Sequence, residues 1–258
     1  MTPSPVPTRP AASVLLLRDG ASGLEVFMIV RNHQSAFAPG ARVFPGGRVD
    51  ATDACLADLS ASSEFPPDSL PFRVAAIRET YEECGILLAR PQGERSLISA
   101  QRLAAFAPIS NATHETPDEF AALLEREKLS LALDLLVHYS HWIAPVVAPI
   151  RYDTHFYLAA MPPDQIGRHD GTEAIDSLWV SPAQVLVDAD AGRCRLEFPT
   201  RMHLRLLKES SSVAEAFAAA RARKIVTVLP EVTGTDMKRF TVRIPLEAGY
   251  GGEIFVVE

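Results

Sequence analysis

The sequence has 258 residues, 47% of them hydrophobic, which is enough to bury the core of a globular, soluble protein. Its formal net charge of -7 provides no broad basic field, so polymeric nucleic acid is not an expected partner, whereas small phosphorylated molecules would need only a local cationic patch. Three separated cysteines without a CxxC pair indicate a reducing, cytoplasmic setting, and no apolar run is long enough to span a membrane.

The first half of the chain predicts a flexible tail, a hairpin and three helices. Residues 1–11 are rich in proline and predict the tail, ahead of a single domain over residues 12–258. Two β-rich runs separated by turn-forming residues, 12–18 and 24–31, predict the hairpin. The helices are predicted at about 71–84, stopped by Gly85, then at 99–106, and at 117–128 behind a Thr116 cap.

The second half predicts strands interspersed with helices. Strands are expected at 142–150, 155–160 and 175–180, and helices at 182–189 and 213–223. A C-terminal extension adds β-like runs at 225–229, 240–244 and 254–257. This mixed order predicts an α/β (α+β) sandwich, in which helices cover a mixed sheet.

The predicted helix over residues 71–84 carries three acids on one side. At about 100° per residue, Glu79, Glu82 and Glu83 fall within one narrow arc, and apolar side chains fall on the opposite arc. Each pair of acids so spaced costs roughly 0.2–0.5 kcal/mol in an isolated helix. A bound Mg2+ or Mn2+ would reverse that sign, because both ions prefer oxygen ligands. An acidic face exposed to solvent is the alternative for these glutamates taken alone.

Residues 78–86 resemble the C-terminal half of the box of the Nudix family, G-x5-E-x7-R-E-U-x-E-E-x-G-U, where U is a bulky apolar residue. The resemblance implies a Nudix-like α/β/α sandwich. It implies that Glu82 and Glu83 are the principal metal ligands, that Glu79 assists, and that Arg78 orients the carboxylates by ion pairing. The implied reaction is metal-dependent hydrolysis of the diphosphate linkage between a nucleoside diphosphate and another moiety.

The N-terminal half of the box is interrupted. If Gly47 is its first glycine, Asp53 stands where the family has glutamate, and residues 54–77 provide 24 residues where the box has seven. The insertion is therefore 17 residues long, and its Ser, Pro and Asp content over about 54–70 predicts a surface loop, either passive or bordering the substrate. Asp53 is expected to act, if at all, through a bridging water or as a partner of Arg78.

Residues 40–47 also resemble the end of a motif found just before the box in coenzyme A-cleaving Nudix enzymes, although Ala36 stands where that motif has arginine. The overall layout of residues 12–200 resembles the branch of coenzyme A diphosphatases. A diphosphate carries more charge than one divalent ion neutralises, so cationic partners are expected for the substrate. The cationic candidates near these segments are Arg31, Arg42, Arg48 and Arg151, although an arginine taken alone is more often structural. Gly46 and Gly47 are further candidates for contact with the substrate.

Coenzyme A or acyl-coenzyme A is the first expected substrate, with water as the nucleophile. The proton acceptor is a glutamate of the box or Glu173, which resembles a position where some Nudix enzymes keep an extra carboxylate. ADP-ribose, a dinucleotide or a nucleotide sugar is the alternative among substrates. A non-catalytic, ligand-sensing Nudix domain is the alternative outside enzymes, and a homodimer is left open.

Two further residue types are assigned structural roles. His138 and His141 lie three residues apart in an apolar, strand-like stretch with no third ligand at metal spacing, so they are predicted to be structural histidines. Cys84 lies on the core side of the carboxylate helix and is predicted to be a small buried hydrophobe, not a nucleophile.

Overall fold

The computed structural model describes residues 6–35, 38–59, 64–106, 118–236 and 239–257. The strands in chain order are β1 (Thr8–Gly20), β2 (Gly23–Arg31), β3 (Arg42–Val43), β4 (Gly46–Arg48), β5 (Ala89–Pro91), β6 (Leu129–Leu131), β7 (Val137–Ile143), β8 (Arg151–Ala160), β9 (Ala174–Val180), β10 (Thr227–Val228), β11 (Glu231–Asp236), β12 (Arg239–Arg243) and β13 (Ile254–Val257). The α-helices are α1 (Ala51–Leu59), α2 (Leu70–Cys84), α3 (Ala100–Leu103), α4 (Asp118–Glu127), α5 (Pro182–Asp190), α6 (Phe198–Leu207) and α7 (Val213–Ala222).

A mixed sheet forms the centre of the fold. Its strands are neighbours in the order β10-β7-β8-β1-β2-β3, while β4 also pairs with β1 and β9 also pairs with β2. The β1–β8 and β7–β10 pairs are parallel and the others are antiparallel. Strands β11, β12 and β13 form a separate sheet, and β5 pairs with β6.

Helices cover both faces of the central sheet. Side chains alternate along β1, so Val14 and Leu16 join a core with α1, α2 and α4, whereas Leu15 and Leu17 join a core with α5, α6 and α7. The predicted α/β sandwich with a mixed sheet is confirmed. No helix in the described part of the chain has both the length and the apolar character needed to cross a bilayer.

The predicted hairpin is present as β1 and β2, but the predicted flexible tail was wrong from residue 8 onwards. Strand β1 begins at Thr8 and pairs with β8 from Thr8↔Arg151 onwards. Pro10 is tolerated because a proline removes only the amide donor, and its carbonyl accepts a hydrogen bond from Val49 at 2.9 Å. Prolines near the N-terminus were therefore a poor guide to disorder, since sheet pairing overrides them.

Helix α2 begins and ends close to its predicted bounds. Gly85 adopts a left-handed conformation (φ 69°) and its N–H donates to the Tyr81 carbonyl at 2.8 Å, as expected of a glycine stop. The apolar arc is buried as predicted, with Cys84 1% exposed. The opposite arc is also covered, since Glu83 is only 1% exposed. The carboxylate side of α2 is therefore largely buried and does not face solvent.

The insertion is not wholly a surface loop. Residues 51–59 form α1, and a short 3-10 turn at Pro67–Ser69 leads into α2; residues 60–63 lie outside the described residues. Leu56 and Ala57 of α1 are buried against α2 in the first core. These two apolar side chains stand among polar residues and give only a weak helix signal, so the sequence did not predict α1.

Several predicted bounds in the second half shift. The strand predicted at 142–150 is β7, which ends at Ile143 because prolines at 145 and 149 cannot continue a ladder. Residues 151–154, predicted as a connection, belong to β8. The helix predicted at 99–106 is short, and the predicted Thr116 cap lies outside the described residues.

The C-terminal part was predicted incompletely. Helix α5 begins as predicted behind Ser181, whose hydroxyl accepts from the Gln184 N–H at 3.1 Å. Helix α6 and strand β11 were not predicted, and neither were the short strands β5 and β6 earlier in the chain. Helix α6 carries Leu204 and Leu207 into the second core, and Met202 into a third core with the sheet of β11, β12 and β13.

Candidate active site

Arg78 is the centre of a buried network of ion pairs. It lies on α2 with its side chain only 7% exposed. Its Nη1 donates to Glu79 Oε1 at 3.0 Å and to Glu82 Oε2 at 2.8 Å, and its Nη2 donates to the Arg48 carbonyl at 2.8 Å. The guanidinium is thus in a position to orient Glu79 and Glu82.

Asp53 anchors the other side of this guanidinium. Its carboxylate, which is fully buried, accepts from Arg78 Nε at 2.8 Å and from Arg78 Nη2 at 2.9 Å. It also accepts a hydrogen bond from the Asp50 N–H at 2.8 Å, which stabilises the start of α1. Of the two roles predicted for Asp53, the structure shows the partner of Arg78, and α1 is the element that delivers it.

The glycines of β4 lie directly against the carboxylates. The Gly46 N–H donates to Glu83 Oε2 at 2.8 Å. Gly46 has φ 150°, and a Cβ there would lie 2.3 Å from the Ala12 carbonyl oxygen. A Cβ at Gly47 would lie 2.5 Å from Glu79 Cδ. Gly46 requires glycine because of its positive φ and the close β1 backbone, whereas a side chain at Gly47 would have to displace the Glu79 carboxylate.

The carboxylates are held in surroundings that disfavour their charge. Burial raises the pKa of Glu79 to about 8, against the opposing charge of Arg78, and Glu82 and Glu173 raise it further. Burial likewise raises the pKa of Glu82.

The pKa of Glu83 is raised in the same direction. Burial and the charge of Glu79 hold the pKa of Glu83 well above its ordinary value, although the Gly46 N–H and the charge of Arg31 oppose this. Several carboxylates therefore compete for limited positive charge in a small volume.

A hard divalent cation fits this donor set. Glu79, Glu82 and Glu83 offer only oxygen ligands, which Mg2+ and Mn2+ prefer. A cation among them would stabilise the charged forms that burial disfavours.

A cavity of about 580 Å3 opens beside these acids. Glu82 and Glu83 contribute to one wall. The other walls come from α3 and from the segment before β9, and they include Leu103, Phe106, Ile166 and Arg168. The lining also includes Asp164 and Asp170, so the cavity joins the oxygen ligands to a surface of apolar and charged side chains of both signs. Its volume suits a small-molecule ligand.

The family of the chain follows from its similarity to known proteins. Residues 55–205, more than half of the chain, match the family described as the NUDT19 Nudix domain. The chain belongs to the Nudix family. Membership accounts for the arrangement of arginine, glutamates and glycines, and it implies a divalent metal ion as cofactor.

Named relatives lie within the same family. The chain is 30% identical over 237 residues to the acyl-coenzyme A diphosphatase NUDT19 of Gallus gallus, covering 69% of this chain and 62% of the relative. It is 29% identical over 201 residues to the putative nudix hydrolase 7 of Caenorhabditis elegans, covering 78% of this chain and 61% of the relative. The chain thus spans less than two thirds of the length of these curated relatives.

A solved structure supports the fold over most of the chain. The crystal structure of a NUDIX hydrolase from Alicyclobacillus acidocaldarius is 27% identical, with a TM-score of 0.70. The match covers 83% of this chain and 96% of that one. The Nudix fold therefore accounts for the central sheet and the helices on its two faces.

The structure brings some of the predicted Nudix site residues together. The charges of Arg31 and Glu173 both act on Glu83, so these two residues lie near the glutamates of α2. The backbone of Glu173 is fixed there, because its carbonyl accepts from the Asn32 N–H at 2.9 Å. The predicted roles of both in substrate binding and catalysis remain predictions.

Other predicted cations have different contacts. Arg42 lies 3.5 Å from Asp188 of α5. Arg151 donates to the carbonyls of Ala144 at 3.0 Å and Val6 at 2.9 Å, which is a structural role. Arg48 is 58% exposed beside Asp50, and its role in substrate binding remains a prediction. Ala36, where the related motif has arginine, lies outside the described residues.

The segment before β9 was missed as part of this Nudix site. Asp170 accepts the N–H groups of Glu173 and Ala174 at 3.1 and 3.0 Å, which shapes the turn that leads to Glu173. Arg168 and His169 line the cavity. The Asp-Gly-Thr run at 170–172 is a turn signal, but only the tertiary fold shows that this turn faces α2.

Proposed function

We propose that this chain is a Mg2+- or Mn2+-dependent diphosphatase that cleaves coenzyme A or acyl-coenzyme A. The observation that carries the proposal is the placement of Glu82 and Glu83, beside Arg78, in the wall of a ligand-sized cavity. Three relatives named acyl-coenzyme A diphosphatase NUDT19 support the choice of substrate.

The chain's own residues have distinct tasks in this reaction. Arg78 holds Glu79 and Glu82 in fixed positions, and the Gly46 N–H holds Glu83, so little reorganisation is needed when substrate binds. Glu79, Glu82 and Glu83 would hold the divalent cation, which when bound would neutralise phosphate charge and lower the pKa of a water molecule. A carboxylate oxygen of Glu79 or Glu173 accepts the proton of the attacking water as one P–O bond of the diphosphate breaks.

The cavity suits the two ends of such a substrate. Coenzyme A has a phosphorylated nucleotide at one end and a largely uncharged pantetheine arm at the other. Arg168 offers a cation for phosphate oxygens, and Leu103, Phe106 and Ile166 offer apolar contact for the arm. A substrate with two sugar-rich, strongly polar ends would leave that apolar wall unused.

The test is a substrate panel with purified protein and Mn2+, read by liquid chromatography. We expect coenzyme A to yield 3',5'-ADP and 4'-phosphopantetheine, faster than ADP-ribose or a nucleotide sugar is cleaved. Glu82→Gln is the control, because it keeps the cavity and removes a ligand charge. Release of AMP from ADP-ribose with coenzyme A left intact would overturn the substrate assignment. Tight binding of a nucleotide without turnover of any substrate would instead favour a ligand-sensing domain.

A further inference from the structure

A cluster of imidazoles and one carboxylate lies on the β7–β8 strand pair, apart from the carboxylate site. Residues His141 and His155 are directly opposite each other in the antiparallel register, and Asp153 lies two residues before His155 on the same face of β8. His141, one of the two histidines predicted to be structural, thus acquires further potential ligands from a neighbouring strand. Sequence spacing could not show this, because the ligands are joined by cross-strand pairing.

The potential ligand atoms of His141, Asp153 and His155 lie within 4.8 Å of one another. His141 Nε2 is 2.5 Å from Asp153 Oδ1. The rings of His141 and His155 stack with their centroids 4.1 Å apart. The side chains of His141 and Asp153 are 17% and 30% exposed, so an ion and a water ligand can enter from solvent.

Both imidazoles have outer hydrogen-bond partners. His141 Nδ1 lies 2.8 Å from Thr227 Oγ1, and His155 Nδ1 lies 3.1 Å from His138 Nε2. Partners of this kind fix ring orientation and tautomer in metal sites. An ion would bind Nε2 of His141 in place of its hydrogen bond to Asp153, and Nε2 of His155 is the ring nitrogen not engaged by His138. The ring of Phe72 packs 4.2 Å from that of His155 and adds a further restraint.

We propose that His141, Asp153 and His155 form a second metal site that takes a transition-metal ion of the Zn2+ class. Two imidazole nitrogens and one carboxylate oxygen are ligands that Zn2+ commonly takes, with a water in the fourth position. The oxygen-only site at Glu79, Glu82 and Glu83 has the opposite preference, so the two sites select different ions.

The two sites are also separate in space. Phe72 beside the cluster and Glu82 at the carboxylates are ten residues apart on α2, which is about 15 Å at the helical rise. The charge of Arg73 acts on His155 and opposes a cation there, and Asp153 supplies the compensating negative charge. An ion at the cluster would join β7 to β8, and through Thr227 would fix the adjacent β10.

The competing explanation is an ordinary histidine–aspartate hydrogen bond between strands. That contact requires only His141 and Asp153, and it assigns no role to the close approach of His155. The two explanations differ in what His155→Gln and Thr227→Val should do to metal affinity, so titration with metal distinguishes them.

The experiment uses the full chain carrying Glu82→Gln and Glu83→Gln, which weakens binding at the oxygen site. Titration with Co2+ should give visible d–d absorption typical of low-coordinate nitrogen and oxygen ligation, and Zn2+ should displace it at about one equivalent. His155→Gln and Asp153→Asn should abolish the absorption. Thr227→Val should weaken Zn2+ affinity by about 10–100-fold while keeping all ligands.

The matched control is His33→Gln, which removes an exposed histidine elsewhere and should leave the titration unchanged. Circular dichroism checks that each variant folds, and His141→Gln decides the matter if His155→Gln does not fold. Unchanged affinity and spectrum in folded His141→Gln or His155→Gln would overturn the proposal, as would the absence of Co2+ absorption in the starting protein. Either result would leave the proposed diphosphatase activity untouched, because that activity is measured separately at the glutamates.

Discussion

Replacing Asp53 by asparagine tests how the Arg78 network is built. The carboxylate of Asp53 is fully buried and accepts two hydrogen bonds from Arg78 and one from the Asp50 N–H. An asparagine keeps one oxygen and turns an N–H2 group towards donors. At least one charge-assisted hydrogen bond is then lost, which costs about 1.5–3 kcal/mol.

Two further effects set the size of the loss. Breaking a buried ion pair by removing one partner typically costs about 3–5 kcal/mol, because a charge is left unpaired. Arg78 would still contact Glu79 and Glu82, and Asp53 itself disfavours the charge on Glu82. We therefore expect Asp53→Asn to lower the free energy of unfolding by about 2–3 kcal/mol, below the full cost of a broken pair.

The measurement is urea unfolding of the metal-free protein near pH 7, paired with steady-state kinetics at saturating Mn2+. Asp50→Asn is the matched control: Asp50 is 35% exposed and 3.7 Å from Arg78, so it should cost no more than about 1 kcal/mol. Turnover should fall less in Asp53→Asn than in Glu82→Gln, because Asp53 positions Arg78 and has its oxygens engaged. A change in unfolding free energy no larger than that of Asp50→Asn would refute the reasoning.

Three other perturbations have equally direct outcomes. Glu82→Gln and Glu83→Gln should each lower kcat by more than about 100-fold, because each removes ligand charge worth several kcal/mol in the transition state. The midpoint temperature of thermal unfolding, measured without metal, should rise slightly or stay unchanged. Gly47→Ala should displace the Glu79 carboxylate, whose Cδ lies 2.5 Å from the added Cβ, so we expect weaker Mn2+ activation in kinetics. Because only the movable end of a side chain must shift, urea unfolding should show little loss of stability. Burial holds the pKa of His203 well below its ordinary value, so below about pH 6.5 the folded state binds fewer protons than the unfolded chain and stability falls as the pH drops. His203→Gln should reduce that slope by about 1.4 kcal/mol per pH unit, and an unchanged slope in a pH series of unfolding curves would contradict this.

Local chemistry explains which parts of the fold were predictable. The stop of α2 at Gly85 and the cap of α5 at Ser181 are properties of a few adjacent residues, and both appear in the structure. The β1–β2 hairpin is similarly local, since a short turn joins its strands. Elements that depend on distant partners were predicted poorly. Strand β1 is extended to Thr8 by parallel pairing with β8, which no local signal near the N-terminus reports.

The candidate site shows the same division. The Nudix-like run from Arg78 onwards identified the three glutamates and their arginine, because all four lie on one helix. Asp53 reaches Arg78 across 25 residues only because α1 forms inside the insertion and docks through Leu56 and Ala57. The turn at Asp170, which positions Glu173, is still further away in sequence.

The burial of the glutamates could not be read from the helix alone, and it changes the energetic argument. A helical wheel separates an apolar side from a charged side, but it does not show what covers the charged side. Here the cover is the β4 backbone, since the Gly46 N–H bonds to Glu83 and Gly47 lies where a side chain would collide with Glu79. Like charges buried in this way repel more strongly than on a helix surface, where a pair costs roughly 0.2–0.5 kcal/mol. We therefore expect a bound cation to stabilise the charged state of the buried glutamates, and metal binding there should release protons.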